Sequence, residues 1–175
     1  MKLYTSAETR KIDKLAIKAK GISSFSLMQK AAEFSLNILL QNWPHTERVF
    51  IFCGKGNNAG DGYLLAGLLK EAGIKSIIIQ VPYRKNISPT AAKAFRWTKL
   101  RKVRTVRLKS FSQFSIKNKD VFVDALLGTG IKGSVKGNIM QAIKLLNKQV
   151  NKNPILSLDI PSGICSDTGN ELGLA

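Results

Sequence analysis

Val49-Phe50-Ile51-Phe52-Cys53-Gly54-Lys55-Gly56-Asn57-Asn58-Ala59-Gly60-Asp61-Gly62 decides the fold. Its first five residues are apolar and rich in strand formers, without the alternation of a half-exposed strand. Such a run suits a strand covered on both faces. A glycine turn follows and opens a helix, read here as Asp61 to Ala72. Backbone N–H groups at such a turn, together with the helix dipole, favour an anionic group. Glycines let the backbone approach a ligand closely. Two standard phosphate fingerprints fail. The spacing G-x-G-x-x-x-G is one residue longer than the dinucleotide pattern, and the next strand ends at Gln80-Val81 without an acid for a ribose. Lys55 lies too early for a P-loop, and no Gly-Lys-Ser/Thr follows.

The flanking sequence repeats the strand–helix alternation. Towards the N-terminus, Thr5 to Glu8 has capping-box spacing, so a helix starts there. Ile12, Leu15, Ala16 and Ala19 give it an apolar stripe, and Gly21 is its stop. A second helix follows, with Leu27, Met28, Ala31, Phe34, Ile38 and Leu39 expected inward. Towards the C-terminus, Ser76–Val81 reads as a strand, and Ser88-Pro89 opens a helix with serine as cap and proline at its first position. Thr105–Leu108 is a weak strand and Val121–Asp124 a strong one; a helix follows near Ile139–Val150, and Ile155–Asp159 is the last strand. This order implies an α/β domain whose mostly parallel sheet carries helices on both faces. Ligands in such sheets bind beyond the carboxyl ends of the strands.

Composition agrees with one ordinary domain of 175 residues, 44% hydrophobic and 22% charged. No apolar run approaches the ~20 residues that span a bilayer. Met1 to Lys20 interleaves charges with apolar residues and lacks the core of a secretory signal. Cys53 and Cys165 are too few for a disulfide framework and read as free thiols of a cytoplasmic protein. The net charge of +17 could mark a nucleic-acid surface. However, the basic residues spread from Lys2 to Lys152, with one dense cluster at Lys99, Arg101, Lys102, Arg104, Arg107 and Lys109. Nucleic acid therefore ranks behind a solvated lysine-rich face or a patch that attracts phosphorylated ligands.

Two more motifs end strands. Val123-Asp124-Ala125-Leu126-Leu127-Gly128-Thr129-Gly130-Ile131-Lys132-Gly133-Ser134 places an acid after apolar residues and then a phosphate-compatible loop. Unpaired buried charge is costly, so Asp124 either caps the turn or meets a ligand. Ser157-Leu158-Asp159-Ile160-Pro161-Ser162-Gly163 repeats the theme, and Pro161 turns the chain out of the sheet. His45, the only histidine, lies in a distant polar turn, so neither a Ser-His-Asp triad nor a zinc site is expected. Asn58, Asp124 and Ser162, each after a different strand, are oxygen donors suited to a hard cation; few acids recur, which favours a singly charged one.

G-K-G-N-N-A-G-D-G, D-A-L-L-G-T-G-I-K-G and L-D-I-P-S-G-I-C-S-D-T-G, together with Glu8-Thr9-Arg10-Lys11-Ile12-Asp13 and Leu27-Met28-Gln29-Lys30-Ala31-Ala32, resemble the NAD(P)H-hydrate epimerase family, the YjeF N-terminal domain. The resemblance runs from about Ser6 to the end and makes residues 1–175 one such domain. It implies a Rossmann-like three-layer αβα sandwich, often a homodimer, that interconverts the R and S epimers of hydrated NADH and NADPH (NADHX and NADPHX). A dehydratase, often fused C-terminally, acts next. By matching position, Asn57, Asn58, Ala59, Gly60 and Asp61 would contact substrate. Gly128, Thr129, Gly130, Ile131, Lys132, Gly133 and Ser134 would cradle its phosphates, and Asp159 would reach the reacting ring. Asn58, Asp124 and Ser162 would hold a potassium ion. Ala59 stands where the family pattern has glycine, and Gln29 and Ala32 replace the usual Glu and Gly. The family domain continues beyond the point matching Ala175 with further strands and a lysine-containing segment, so the domain is expected to be incomplete at its C-terminal end and its sheet to lack an edge. An alternative function on the same fold is a non-catalytic, dimerising, RNA-associated scaffold.

Overall fold

The computed structural model describes residues 4–81, 87–131 and 133–175. Lys132, expected in the phosphate loop, lies outside the described residues. The elements run α1 (Ser6–Lys20), α2 (Ser24–Asn42), β1 (Arg48–Cys53), α3 (Asn57–Glu71), β2 (Lys75–Gln80), α4 (Pro89–Leu100), β3 (Arg104–Arg107), a 3₁₀ turn (Leu108–Gln113), β4 (Asp120–Ala125), α5 (Gly137–Asn147) and β5 (Ile155–Ser157). All pairings are parallel, in the order β3-β2-β1-β4-β5. The chain thus moves outward from β1 in one direction, then returns to begin again at β4. The connections leaving β1 and β4 diverge there, and an open α/β sheet binds ligands in that crevice.

The apolar run that sets this centre is enclosed on both sides. Val49, Ile51 and Cys53 pack against α2, α3 and α4, whereas Phe50 and Phe52 point to the face of α5 and the 3₁₀ turn. Successive strand residues alternate faces, so an uninterrupted apolar β1 needs two cores. On the second face, Phe50 stacks on Phe122 with centroids 5.4 Å apart, and Phe111 meets Phe52 edge-on at 5.1 Å. The 3₁₀ turn is what brings Phe111 there. On the first face, α3 runs so close to α4 that a Cβ at Gly67 would lie 2.3 Å from the Trp97 ring.

The ends of α1 and α4 follow the sequence. Thr5 and Glu8 close the capping box, Gly21 sits in the left-handed region at φ 60°, and the Ser88 hydroxyl accepts from the Ala91 N–H. Three expectations need correction. In α2 the buried residues are Met28, Ala32 and Leu39, while Ala31 and Phe34 are exposed, Phe34 to 66%. The helix is apolar on more than one side, and its spacing admits two stripes; α3 and α4 select the one through Ala32. The α1 stripe is largely open, with Ile12 44% and Leu15 56% exposed. The last strand stops at Ser157, because Asp159 adopts a left-handed backbone at φ 65°, which no strand accommodates. Among the described residues, no helix is long and apolar enough to cross a membrane.

Candidate active site

Asn57 and Asn58 open α3 directly beyond β1. Asn57 turns outward, where its Oδ1 accepts from the Ser88 hydroxyl at 2.8 Å and ties the turn to α4. Ala59 is fully enclosed, and Gly60 packs against Met28. Asn58 turns inward and is buried. Its Nδ2 donates to the Leu127 carbonyl at 2.6 Å, while its Oδ1 is buried with no hydrogen-bond partner among the described residues. A buried polar oxygen left unpaired is costly, and native proteins keep such atoms where a ligand or ion uses them.

The other two expected ligands meet beside it. Asp124, 5% exposed near the end of β4, accepts at Oδ1 from the Ser162 hydroxyl (2.6 Å) and the Leu126 N–H (3.1 Å), and at Oδ2 from the Ser162 N–H (2.8 Å). Ser162 Oγ also accepts from the Leu127 N–H at 2.9 Å. Burial pushes the Asp124 carboxyl above its usual range, while the Ser162 and Leu126 bonds pull it back. Asn58 and Ser162 therefore meet at Leu127, with Asp124 joined to them through Ser162; Leu127 is a main-chain participant that sequence reading did not single out. Asp124 caps the turn after β4, as one of its two readings held, and lies within this oxygen-rich cluster as well.

Asp159 projects over the same crevice. Its Oδ2 accepts from the Thr129 N–H at 2.7 Å. The chain can pass here only because residue 128 is glycine: a Cβ there would lie 2.4 Å from Asp159 Oδ2 and 3.3 Å from Asn58 Cβ. The carboxylate is thus anchored by one oxygen, in an exposed position. Gly130, Gly133 and Ser134 are exposed along the loop that follows, and Ile131 closes a turn by donating to the Gly128 carbonyl at 3.2 Å.

Asp61 stands one turn along α3 from Asn58, on the same helix face. Burial, then the Asp159 carboxylate and then Asp13 of α1, push its carboxyl up to about 7. Sequence reading placed Asp61 as a substrate contact and missed this, because nothing in a helix pattern shows that three acids from α1, α3 and the β5 turn face one another. The consequence for stability has a definite sign. A carboxyl whose folded pKa is raised favours folding below its unfolded pKa near 4 and loses that contribution as pH rises through 7. Asp61→Asn is expected to raise the melting temperature by several degrees at pH 8 and to change little at pH 4. Thermal unfolding at the two pH values checks this; equal shifts at both would contradict it.

A second contact missed by sequence reading closes the region. The 165–170 turn carries Asp167, which accepts from the Ser6 N–H (2.7 Å) and the Ser6 hydroxyl (3.0 Å) at the start of α1. These bonds hold the Asp167 carboxyl below its ordinary value. His45 is exposed in a turn and Cys53 and Cys165 are free thiols, as their sequence contexts indicated.

Residues 24–175 match the family model described as YjeF-related protein N-terminus. The chain is 34% identical over 176 residues to a protein of Limosilactobacillus reuteri named NAD(P)H-hydrate epimerase, covering 99% of this chain and 80% of that one. It is 35% identical over 173 residues to the bifunctional NAD(P)H-hydrate repair enzyme Nnr of Coxiella burnetii, covering 99% of this chain but only 34% of that protein. The chain thus spans about a third of the bifunctional relative. The crystal structure of the yeast protein YNL200c shares the fold, with a TM-score of 0.82 at 24% identity, over 94% of this chain and 72% of that one. With the motifs, the sheet order and these relatives in agreement, the chain belongs to the YjeF N-terminal family, the family of the NAD(P)H-hydrate epimerases.

Proposed function

We propose that this domain interconverts the R and S epimers of NADHX and NADPHX, making both available to a dehydratase. The observation that carries this reading is the pairing, in one crevice, of a half-anchored carboxylate at Asp159 with a second acid, Asp61, held near neutrality. Epimerisation inverts the ring carbon that bears the added hydroxyl. The ring nitrogen's lone pair expels that hydroxyl as water once it is protonated, leaving an iminium-like ring; water then adds to the opposite face and gives up a proton. One proton is delivered and one recovered, so the cycle balances without a redox partner. Asp159 suits both transfers, since among the described residues its second oxygen accepts no hydrogen bond and a carboxylate stabilises the cationic ring. Asp61, half protonated near pH 7, keeps a proton within the same cluster. The Gly128–Ser134 loop and the start of α3 offer backbone N–H groups to the phosphates. An epimerisation assay on separated stereoisomers of NADPHX tests the reading, and a chain that leaves each isomer unchanged would refute it.

A potassium ion fits the donors present. Asn58 offers a buried oxygen that no described residue satisfies, and Asp124 and Ser162 add a carboxylate and a hydroxyl. When bound, the ion supplies a fixed positive charge beside the phosphates. Potassium in place of tetramethylammonium is expected to raise the melting temperature, and equal melting in the two salts would remove the ion from this account.

A homodimer is part of the same proposal. Tyr4, Ile12, Leu15 and Phe34, from 44% to 66% exposed on or beside α1 and α2, leave apolar surface for a second copy. Phe34→Glu is expected to shift the sedimenting species towards monomer. A cytoplasmic location belongs to the same reading, and the free thiols Cys53 and Cys165 support it.

A further inference from the structure

A second concavity lies at the opposite end of the sheet from the crevice. Arg48, Lys75 and Arg104 are the first residues of β1, β2 and β3; the parallel register sets Arg48 beside Lys75 and Arg104 beside Ile77, two residues further along, at the same end of the sheet. With Lys70, Lys102 and Phe114 they line a cavity of about 460 Å³, within the size range of small-molecule sites. Among the described residues, no carboxylate lines it. Arg48 is neutralised from behind by Asp120, whose Oδ1 accepts from Nε at 2.9 Å. Arg101, just outside, is paired with Glu71. Among the described residues, Lys75, Lys102 and Arg104 have no acidic partner.

Two features separate this cavity from an ordinary lysine-rich face. Lys102 follows the end of α4 in the left-handed region, at φ 55°, where glycine is the usual occupant. The Lys70 ammonium donates to the Lys102 carbonyl at 2.8 Å and holds that turn in place. A strained non-glycine residue kept by its surroundings points to a role for its side chain. The Arg104 guanidinium, in turn, lies over the Phe114 ring at 5.0 Å, which fixes a flat cation at the cavity wall.

We propose that this cavity is a second binding site, for a nucleoside polyphosphate. Several unpaired cations around one hollow repel one another, and a compact polyanion relieves that repulsion. Lys75 and Lys102 would take the phosphates as point charges. The Arg104 plane, backed by Phe114, offers a flat face on which a base stacks, with the side chain of Ile74 forming apolar wall beside it. The site uses no residue of the crevice and stands or falls independently of the epimerase reading.

The test is calorimetric titration of the whole chain with ATP in EDTA, alongside inorganic tripolyphosphate and a short single-stranded RNA. ATP is expected to bind at least ~10-fold more tightly than tripolyphosphate, the increment a stacked base supplies. The double variant Lys75→Gln/Arg104→Gln is expected to weaken ATP by ~10-fold or more. Both side chains are exposed, so this variant should keep the parent melting temperature and epimerisation rate. Undiminished ATP binding by the double variant would put the nucleotide elsewhere and overturn the proposal. Equal affinity for tripolyphosphate would overturn it by removing base recognition. Tighter binding of RNA than of ATP, lost in the double variant, would overturn it in favour of a nucleic-acid surface.

Discussion

Asp159→Asn is expected to slow epimerisation of either hydrate by ~100-fold or more, the usual contribution of a positioned acid–base group. The substitution keeps the shape of the side chain and an oxygen to accept from the Thr129 N–H. It removes the charge and the ability to exchange a proton. Because Asp159 is exposed and already tolerates a left-handed backbone, which asparagine adopts readily, the fold should persist. Dinucleotide binding should persist with it. Single-turnover rates and product-release-free binding measurements separate the two roles open to this residue. Slow turnover with intact binding marks the acid–base group; loss of both marks a ribose contact. Near-normal turnover would exclude catalysis by Asp159.

The largest expected loss of stability comes from Asp124→Ala. That change strips the acceptor from the Ser162 hydroxyl, the Ser162 N–H and the Leu126 N–H in a nearly closed space. Leaving those buried donors without an acceptor costs about 1–3 kcal/mol each, together roughly 10 °C of melting temperature in a domain this size. Some of this is offset because burial already disfavours the Asp124 charge. Asp124→Asn keeps an acceptor and relieves the buried charge, so it should lose less. Asp124→Ala should lose the melting response to potassium, whereas Asp124→Asn should weaken it less. A stable Asp124→Ala protein that still responds to potassium would show that the ion sits elsewhere.

How much of this was legible in the sequence depends on whether the governing interaction is local. Val49–Cys53 and Val121–Asp124 declared themselves because a strand with two cores must be apolar at every position, and both are buried throughout. Thr5, Gly21 and Ser88 were legible for the same reason: a cap is decided within four residues. Phe34 was misplaced because which side of α2 is covered depends on α3 and α4. The 3₁₀ turn at Leu108–Gln113 has no period of its own and exists to fill the second core with Phe111. At the site, the chain spacing supplied Asn58, Asp124 and Ser162, and the structure brings Asn58 and Ser162 together at Leu127, with Asp124 joined through Ser162. The altered acidity of Asp61 was invisible, since it arises from groups far apart in sequence. The role of Asp167 escaped for the same reason, being 161 residues from Ser6.

That last pair sets the order of events when the chain opens and closes. α1 buries only Ser6, yet its start is tied to a turn made by almost the last residues described. It cannot dock before β5 and the 165–170 turn exist, so it joins late in folding and leaves early. Amide protons of α1 should accordingly exchange with deuterium at a free energy well below that of β1 and β4, as a separate cooperative unit. Each such opening also carries Asp13 away from Asp61, so the protection of one helix and the proton affinity of the crevice rise and fall together.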